Sequence, residues 1–496
     1  MTTTLPTSAR PLSPRRRWAA LGVLVGAVLL LAVDGTVLYL AVPSLTRELA
    51  PTATEILWIG DVYSLALAGL LVTAGNLADR FGRKKVLLIG TAAFGLASAL
   101  AAFSPTASVL IVARLLLGVA GATIMPSTLS LIRTLFADPR ERTRAIAIWS
   151  AGSGGGIALG PLVGGMLLEH YWWGSVFLIN VPIVVAFLIA GAWLLPESRD
   201  PDPGRFDLLS AGLSLAAIVP LVYAVKHAVS TGFDVRMGVA AVLGLVSGVL
   251  FVRRQRRAEA PLIDVTLFRN GAFSGAVLAN FIAVFALMGL LFFFSQYLQL
   301  VRGFSPLQAG FAEMPATLAS IAVVAAVGVV TGRLGRGRAI AAGLAVAALG
   351  LALVSVAERA PQYWWLGLTL VPVGLGVGLA LTLTVDSVLS AVPRDKAGSA
   401  SAISETAYEL GAALGIAILG SVVNRVYRAF LPAGPVPGEV RDSLAGAANV
   451  LDPGSELARA ARDAFTGAMQ VTALVAAAVT AVAAVIAWRT IPSGKD

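Results

Sequence analysis

Apolar runs dominate this chain, and short polar clusters interrupt them at near-regular intervals. A helix rises about 1.5 Å per residue, so ~20 consecutive apolar residues cross the hydrocarbon of a bilayer. Fourteen stretches meet that length: 18–42, 55–77, 84–104, 107–131, 143–168, 173–195, 207–226, 236–253, 271–297, 306–332, 338–357, 361–390, 397–424 and 464–488. The pattern predicts an all-α polytopic membrane protein of 14 transmembrane helices, joined mostly by short loops. Composition agrees: 57% of residues are hydrophobic and 13% charged, with a mean hydropathy of +0.84. A soluble domain of this size could not hide that much apolar surface.

The net charge of +10 would suggest a nucleic-acid partner in a soluble protein. Here the basic residues gather in alternate connections: Arg15 to Arg17, 80–85, Arg133 to Arg144, Arg253 to Arg257 and Arg333 to Arg338. Short cytoplasmic loops carry such an excess. The expectation is a multi-pass protein of the cytoplasmic membrane, with both termini inside and no nucleic acid bound. The start, SARPLSPRRR, resembles a signal-peptide n-region, but the apolar run after it is too long and lacks a clear cleavage site. It reads as a retained first span. With no cysteine and only His170 and His227, a thiol, a Cys-ligated metal or a membrane-embedded histidine triad is not expected. No phosphate-binding loop of the GxxxxGK[ST] type occurs. The chain therefore reads as no enzyme, with no metal and no cofactor.

Ionisable residues inside the spans carry the functional signal. A charge at the bilayer centre costs at least ~2.5–3.5 kcal/mol, yet Asp34, Asp61, Arg114, Glu313, Asp386, Glu405 and Glu409 all fall within predicted spans. Transport is the default reading of such a set. By helical rise, Asp34, Asp61 and Arg114 can meet in the outer half of the bundle. Arg114 beside Asp34 would hold the carboxylate charged, and its withdrawal would let a proton bind. A static ion pair is the alternative. Glu405 and Glu409 are one turn apart and share a face with Ser401. Two acids so close resist joint ionisation, so an incoming cation would favour their charge and displace a proton. Asp61 joins Glu405 and Glu409 as a substrate-cation candidate. Glu313 and Asp386 are secondary acids, and a boundary role is equally open for Asp386. Tyr63, Phe294, Tyr297 and Gln296 form a candidate aromatic and polar cavity, with ~0.5–2 kcal/mol per cation–π contact. Ordinary packing is the alternative for each.

A weak internal repeat organises the chain. LADRFGRKK at 77–85 aligns without gaps on VTGRLGRGR at 330–338, and each joins the second and third span of a six-helix half. The expected domains are a cytoplasmic tail (1–17), an N-terminal half (18–195), an inserted pair of helices 7 and 8 (207–253), a C-terminal half (271–488) and a tail (489–496). The extracellular loop 425–463 lies within the second half. Two short surface helices are expected in it, separated by Pro453-Gly454; a mobile loop is the alternative. Two halves around a central site is a transporter layout.

Three motifs narrow the class. GNLADRFGRKKVLL at 75–88 supplies Gly75 for helix packing and Asp79, Arg80, Gly82 and Arg83 for contacts that form and break. Gly152, Gly156, Gly160 and Gly164 recur every fourth residue with Pro161 and Gly165, a flat stripe for close helix approach. Asp34-Gly35-Thr36 precedes Ala41-Val42-Pro43 in the first span. Together these resemble the major facilitator superfamily, and within it the fourteen-helix drug:proton antiporters. LWIGDVYSL at 57–65 and SETAYELG at 404–411 look like the branch that exports quaternary ammonium compounds. The resemblance implies a major facilitator fold, Asp34 and Arg114 in proton coupling, 75–83 as a conformational switch and the glycine stripe as the antiporter motif. Relatives in that branch can carry a helix-10 acid where this chain has Ser320.

The function expected is proton-coupled efflux of lipophilic, mainly cationic compounds by a monomer, giving multidrug or antiseptic resistance. Its partners would be drugs, protons and the bilayer. Export of one endogenous metabolite or antibiotic is the first alternative, and a non-transporting membrane sensor the second. The topology is testable because the chain lacks cysteine. Cysteines placed at Ser13 and Ser493 should resist a membrane-impermeant thiol reagent in intact cells, and one at Ser443 should label.

Overall fold

The computed structural model describes residues 13–199, 207–230, 232–258, 261–393 and 396–492. The terminal stretches 1–12 and 493–496, with Ser493, lie outside the described residues. All fourteen spans are helical: α1 (Pro14–Leu49), α2 (Ala53–Phe81), α3 (Arg83–Ala102), α4 (Ala107–Leu135), α5 (Arg140–His170), α6 (Ser175–Leu194), α7 (Leu208–Ala228), α8 (Val235–Arg257), α9 (Gly271–Leu300), α10 (Pro306–Leu334), α11 (Arg336–Ala357), α12 (Tyr363–Ser390), α13 (Ser399–Phe430) and α14 (Glu456–Thr490). Several outrun the apolar segments because polar caps extend them. Thr52 and Glu55 form a reciprocal capping box at the start of α2. The Asp138 carboxylate accepts from the Arg140 and Glu141 amides ahead of α5, satisfying donors that a helix start leaves free.

Two sequence expectations change. The tenth span is interrupted rather than continuous: helix runs Pro306–Ala312 and Met314–Ala322, then a 3-10 turn covers Val323–Ala326 before Val327–Leu334. Pro315 follows the first break and has no amide hydrogen to donate. The loop before α14 is ordered, and its two short helices both fall within GEVRDSLAGAANV, 438–450, the first of the two segments with helical patterning. They are Gly438–Asp442 and Leu444–Val450, while SELARAARDAF opens α14 itself, capped by Ser455 on the Ala458 amide. Asp442 accepts from the Ala53 amide (2.6 Å) and from Arg428 (2.9 Å), and Asn449 donates to the Thr46 carbonyl (3.0 Å). The loop thus closes over the α1–α2 turn. Ser443 is buried and caps the second short helix, so Val450, which is exposed, is the position to label instead.

Packing sorts the helices into groups. α1 lies along α5, α2 along α4 and α3 along α4; in the later part α9 lies along α13, and α11 along α12 and α14. α7 and α8 pack on each other, and α7 also touches both α2 and α13. The groups α1–α6 and α9–α14 meet through α2–α13, α5–α10 and α1–α9. The sequence repeat is also a structural one. Gly82 and Gly335 both take positive φ (109° and 76°), and their amides close the preceding helices on Ala78 and Thr331. A side chain at Gly82 would also stand 2.8 Å from the Glu197 carboxylate.

The α5 glycines lie directly on α1. A Cβ at Gly156 would stand 2.8 Å from the Leu29 carbonyl oxygen, one at Gly164 2.8 Å from the Val37 side chain, and one at Gly160 would run into Thr36. Gly152 meets Val25 the same way, and Gly165 meets Leu307 of α10 at 2.8 Å. Gly154, on the same helix, has nothing within 4 Å. Gly156→Val should therefore destabilise by about 1–3 kcal/mol through overpacking, whereas Gly154→Val should stay within about 0.5 kcal/mol of the parent. Thermal melting of the purified protein checks the contrast.

Candidate functional site

Asp34 sits at mid-helix in α1, fully buried, and its two oxygens are held separately. Arg114 of α4 donates to Oδ2 at 3.1 Å, and Asn180 of α6 donates to Oδ1 at 2.7 Å. Asn180 also reaches Ser98 of α3 at 3.1 Å. Arg114 donates its Nε to the Ile59 carbonyl at 3.2 Å and lies 4.6 Å from the Tyr63 ring centroid. One acid thereby gathers four further helices. The sequence reading placed Asp34 with Arg114 but missed Asn180, whose signal is an amide inside an apolar span.

Asp61 is not in that cluster. It is fully buried and pairs with Lys226 of α7, 2.6 Å from Oδ2 and 2.9 Å from Oδ1. The ammonium also lies 3.6 Å from the Trp58 ring centroid. Lys226 went unremarked in the sequence although it is a charge at the end of an apolar span.

Glu405 and Glu409 lie on the α13 face toward α2, both half-buried. Ser64 of α2 lies against Glu409. Glu405 lines a cavity of about 350 Å³ together with Gly75, Asp79, Met125, Trp149 and Ser401, drawn from both helix groups. Asn76 and Arg133, also on its wall, are exposed. At the far end of the bundle the groups touch instead: Gln299 donates to the Leu40 carbonyl at 3.0 Å, and Gly310 abuts Pro161.

The model of the Major Facilitator Superfamily matches residues 24–416. The chain belongs to this superfamily. It is a membrane transporter and not an enzyme. It is 45% identical over 484 residues to the multidrug efflux pump LfrA of Mycolicibacterium smegmatis, covering 96% of each chain. It is 37% identical over 461 residues to the methyl viologen resistance protein SmvA of Salmonella typhimurium, covering 91% of this chain and 93% of that one. In fold it resembles the crystal structure of a bacterial homologue of the human lysosomal transporter Spinster, inward-facing and unoccupied, with a TM-score of 0.71 at 16% identity over 97% of this chain and 98% of that one.

The superfamily's loop motif is built as an ion-paired turn. Arg83 donates to Asp79 at 2.8 Å and to the Thr134 hydroxyl at 3.2 Å. Glu197 accepts from the Lys84 and Lys85 amides, capping α3 from beyond α6. Arg80 instead lies over the Phe81 ring. Gly75 is looser than expected, since a Cβ there would meet Pro126 at an ordinary 3.4 Å.

Other sequence candidates move away from a site. Asp386 is exposed and lies 3.5 Å from Arg336, so it belongs to the membrane boundary, because α12 ends one turn later. Phe294 and Tyr297 are fully buried core residues. Tyr297 donates to the Glu358 carbonyl, and its ring faces Arg302. The faces of Tyr63 and Tyr297 are thus turned to the protein's own arginines. Gln296 is buried and donates to the Phe292 carbonyl of its own helix. Glu313 is buried at the α10 break, and its Oε1 has no hydrogen-bond partner among the described residues; the same holds for both carboxylate oxygens of Glu358, which the sequence reading did not single out.

Removing one member of a buried pair leaves an uncompensated charge, which typically costs 3–5 kcal/mol. Arg114→Met should therefore destabilise by about that amount. The double variant Asp34→Asn with Arg114→Met should recover most of it, as read by chemical denaturation of the purified protein.

Proposed function

We propose that this transporter exports lipophilic, mainly cationic compounds across the cytoplasmic membrane in exchange for protons. One observation carries the reading: two acid sites lie in different helix groups with different surroundings. Asp34 is sealed in by Arg114 and Asn180, and Glu405 stands on the wall of an open cavity. A sealed acid with a movable cationic partner suits proton exchange, whereas an acid facing a cavity suits a cation. The efflux and resistance names of the relatives support drug export.

With both termini inside, the cavity faces the cytoplasm and the ordered loop 431–455 covers the outer end. A compound enters between α2 and α13 and brings its positive charge to Glu405 and Glu409. The halves α1–α6 and α9–α14 then rock, with α7 and α8 as an inserted pair. Asp79 and Arg83 hold the inner end of the first half, and their contacts change as that end closes. Opening toward the outside draws Arg114 off Asp34, which takes a proton and returns it inside.

Purified protein in liposomes tests this reading: an imposed pH gradient should drive a quaternary ammonium dye. Asp34→Asn should abolish pH-driven export of every substrate, and full activity in that variant would remove the relay. Glu405→Gln should weaken cations selectively, by roughly 5- to 150-fold, since it deletes about 1–3 kcal/mol of charge interaction. Equal loss for neutral compounds would count against a cation site. Asp79→Asn should slow all substrates without changing their rank order.

A further inference from the structure

The inserted helix pair places an ammonium group where a substrate ammonium would fit. Lys226 Nζ lies 2.6 Å from the Asp61 carboxylate and 3.6 Å from the centroid of the Trp58 ring. A carboxylate on one side and an aromatic face on the other is the chemistry that recognises quaternary ammonium heads. On one side Trp58 packs on an apolar cluster of Leu65 of α2, Val222 of α7, and Ala413 and Ala417 of α13. Those three helices form one of the seams between the two helix groups. Asp61 is fully buried and Lys226 is 3% exposed, so a cation removed from this place must be replaced by another or by a proton.

Space lies on the lysine's side of the cradle: a cavity of about 100 Å³ is lined by Lys226, Thr54, Leu57 and Asn424 together with Arg425 and Arg428. A lysine ammonium rides on a flexible four-carbon stem, so it can swing off Asp61 while α7 stays packed.

We propose that Lys226 is a built-in competitor: it occupies the cradle of Asp61 and Trp58, gives way to the ammonium head of a transported compound, and evicts that head on its return. This deepens the cation-export reading and rests on it. The tether keeps resting affinity low, because any incoming cation must displace a charge held at high local concentration. It also gives the inserted helices a part in transport.

Binding of tetramethylammonium and dodecyltrimethylammonium to the purified full-length protein in nanodiscs tests the proposal. Lys226→Met should bind both about tenfold more tightly than the parent, and Lys226→Arg should match the parent. Adding Trp58→Leu or Asp61→Asn to Lys226→Met should return affinity to the parent level. A folded Lys226→Met protein with unchanged affinity overturns the proposal, as does a gain that survives the loss of Trp58 and Asp61. Lys226→Cys gives a second route. Its affinity should rise, and coupling an ethylammonium to the thiol should lower it again; a rise that persists after coupling is also an overturning result. Dye export by the parent protein with no affinity gain in these variants defeats this proposal alone. Absence of export by the parent defeats the export reading instead.

Discussion

Hydrocarbon does not tolerate a lone charge, and the interior of this protein is arranged around that constraint. Water is scarce around a guanidinium or an ammonium packed inside the bundle or at the end of a span, so each must carry its partners with it. Arg114 has Asp34, a backbone carbonyl and the Tyr63 ring. Lys226 has Asp61 and Trp58. Arg302 donates to the carbonyls of Glu358, Ala360 and Pro361 and to the Tyr297 hydroxyl. In the first two cases the carboxylate comes from a different helix. The charge therefore acts as a pin between segments distant in sequence, and changing its partner requires moving a helix.

The glycine stripe of α5 works beside these pins. It lets α1 lie at backbone distance, which fixes the depth and rotation of Asp34 without a large side chain between the helices. The same helix reaches across to α10 through Gly165 and Gly310. A shift of α10 against α5 is thus felt one helix away from the Asp34 pocket. Shape, rather than a chain of polar contacts, links the seam to the buried acid.

Spans, their number and the superfamily were legible in the sequence because hydrocarbon thickness imposes one length on every crossing, and because the loop motif keeps its spacing. Asp34 with Arg114 was legible too, since an acid and a base at matching depth in apolar helices have few ways to be satisfied. Lys226 escaped notice because it stands at the margin of its span, where a lysine usually reaches the interface. Asn180 was missed for want of charge. For Asp386 a site role and a boundary role were equally open, and its exposure beside Arg336 favours the boundary, because depth along a helix says nothing about which way the side chain faces. The break in α10 was announced by Pro315, but a proline within an apolar run does not say whether the helix bends or stops. In the final loop the helical pattern of 438–450 and the gap at Pro453-Gly454 were legible, but not that the segment beyond, capped by Ser455, starts the last span instead of forming a separate surface helix.

The hydrogen bonds from the Ala53 amide to Asp442 and from Asn449 to the Thr46 carbonyl join residues 389 and 403 positions apart. Chains are made from the N-terminus at about 5–20 residues per second. The turn between the first two helices is therefore synthesised and inserted long before its cover exists. For roughly 20–80 seconds of synthesis the Ala53 amide and the Thr46 carbonyl must rely on other partners, and that end of the bundle stays uncapped. Only when the thirteenth span has entered the membrane and the segment after it has folded back can this end close. The contacts that cover the first turn of the bundle are thus among the last that synthesis makes available.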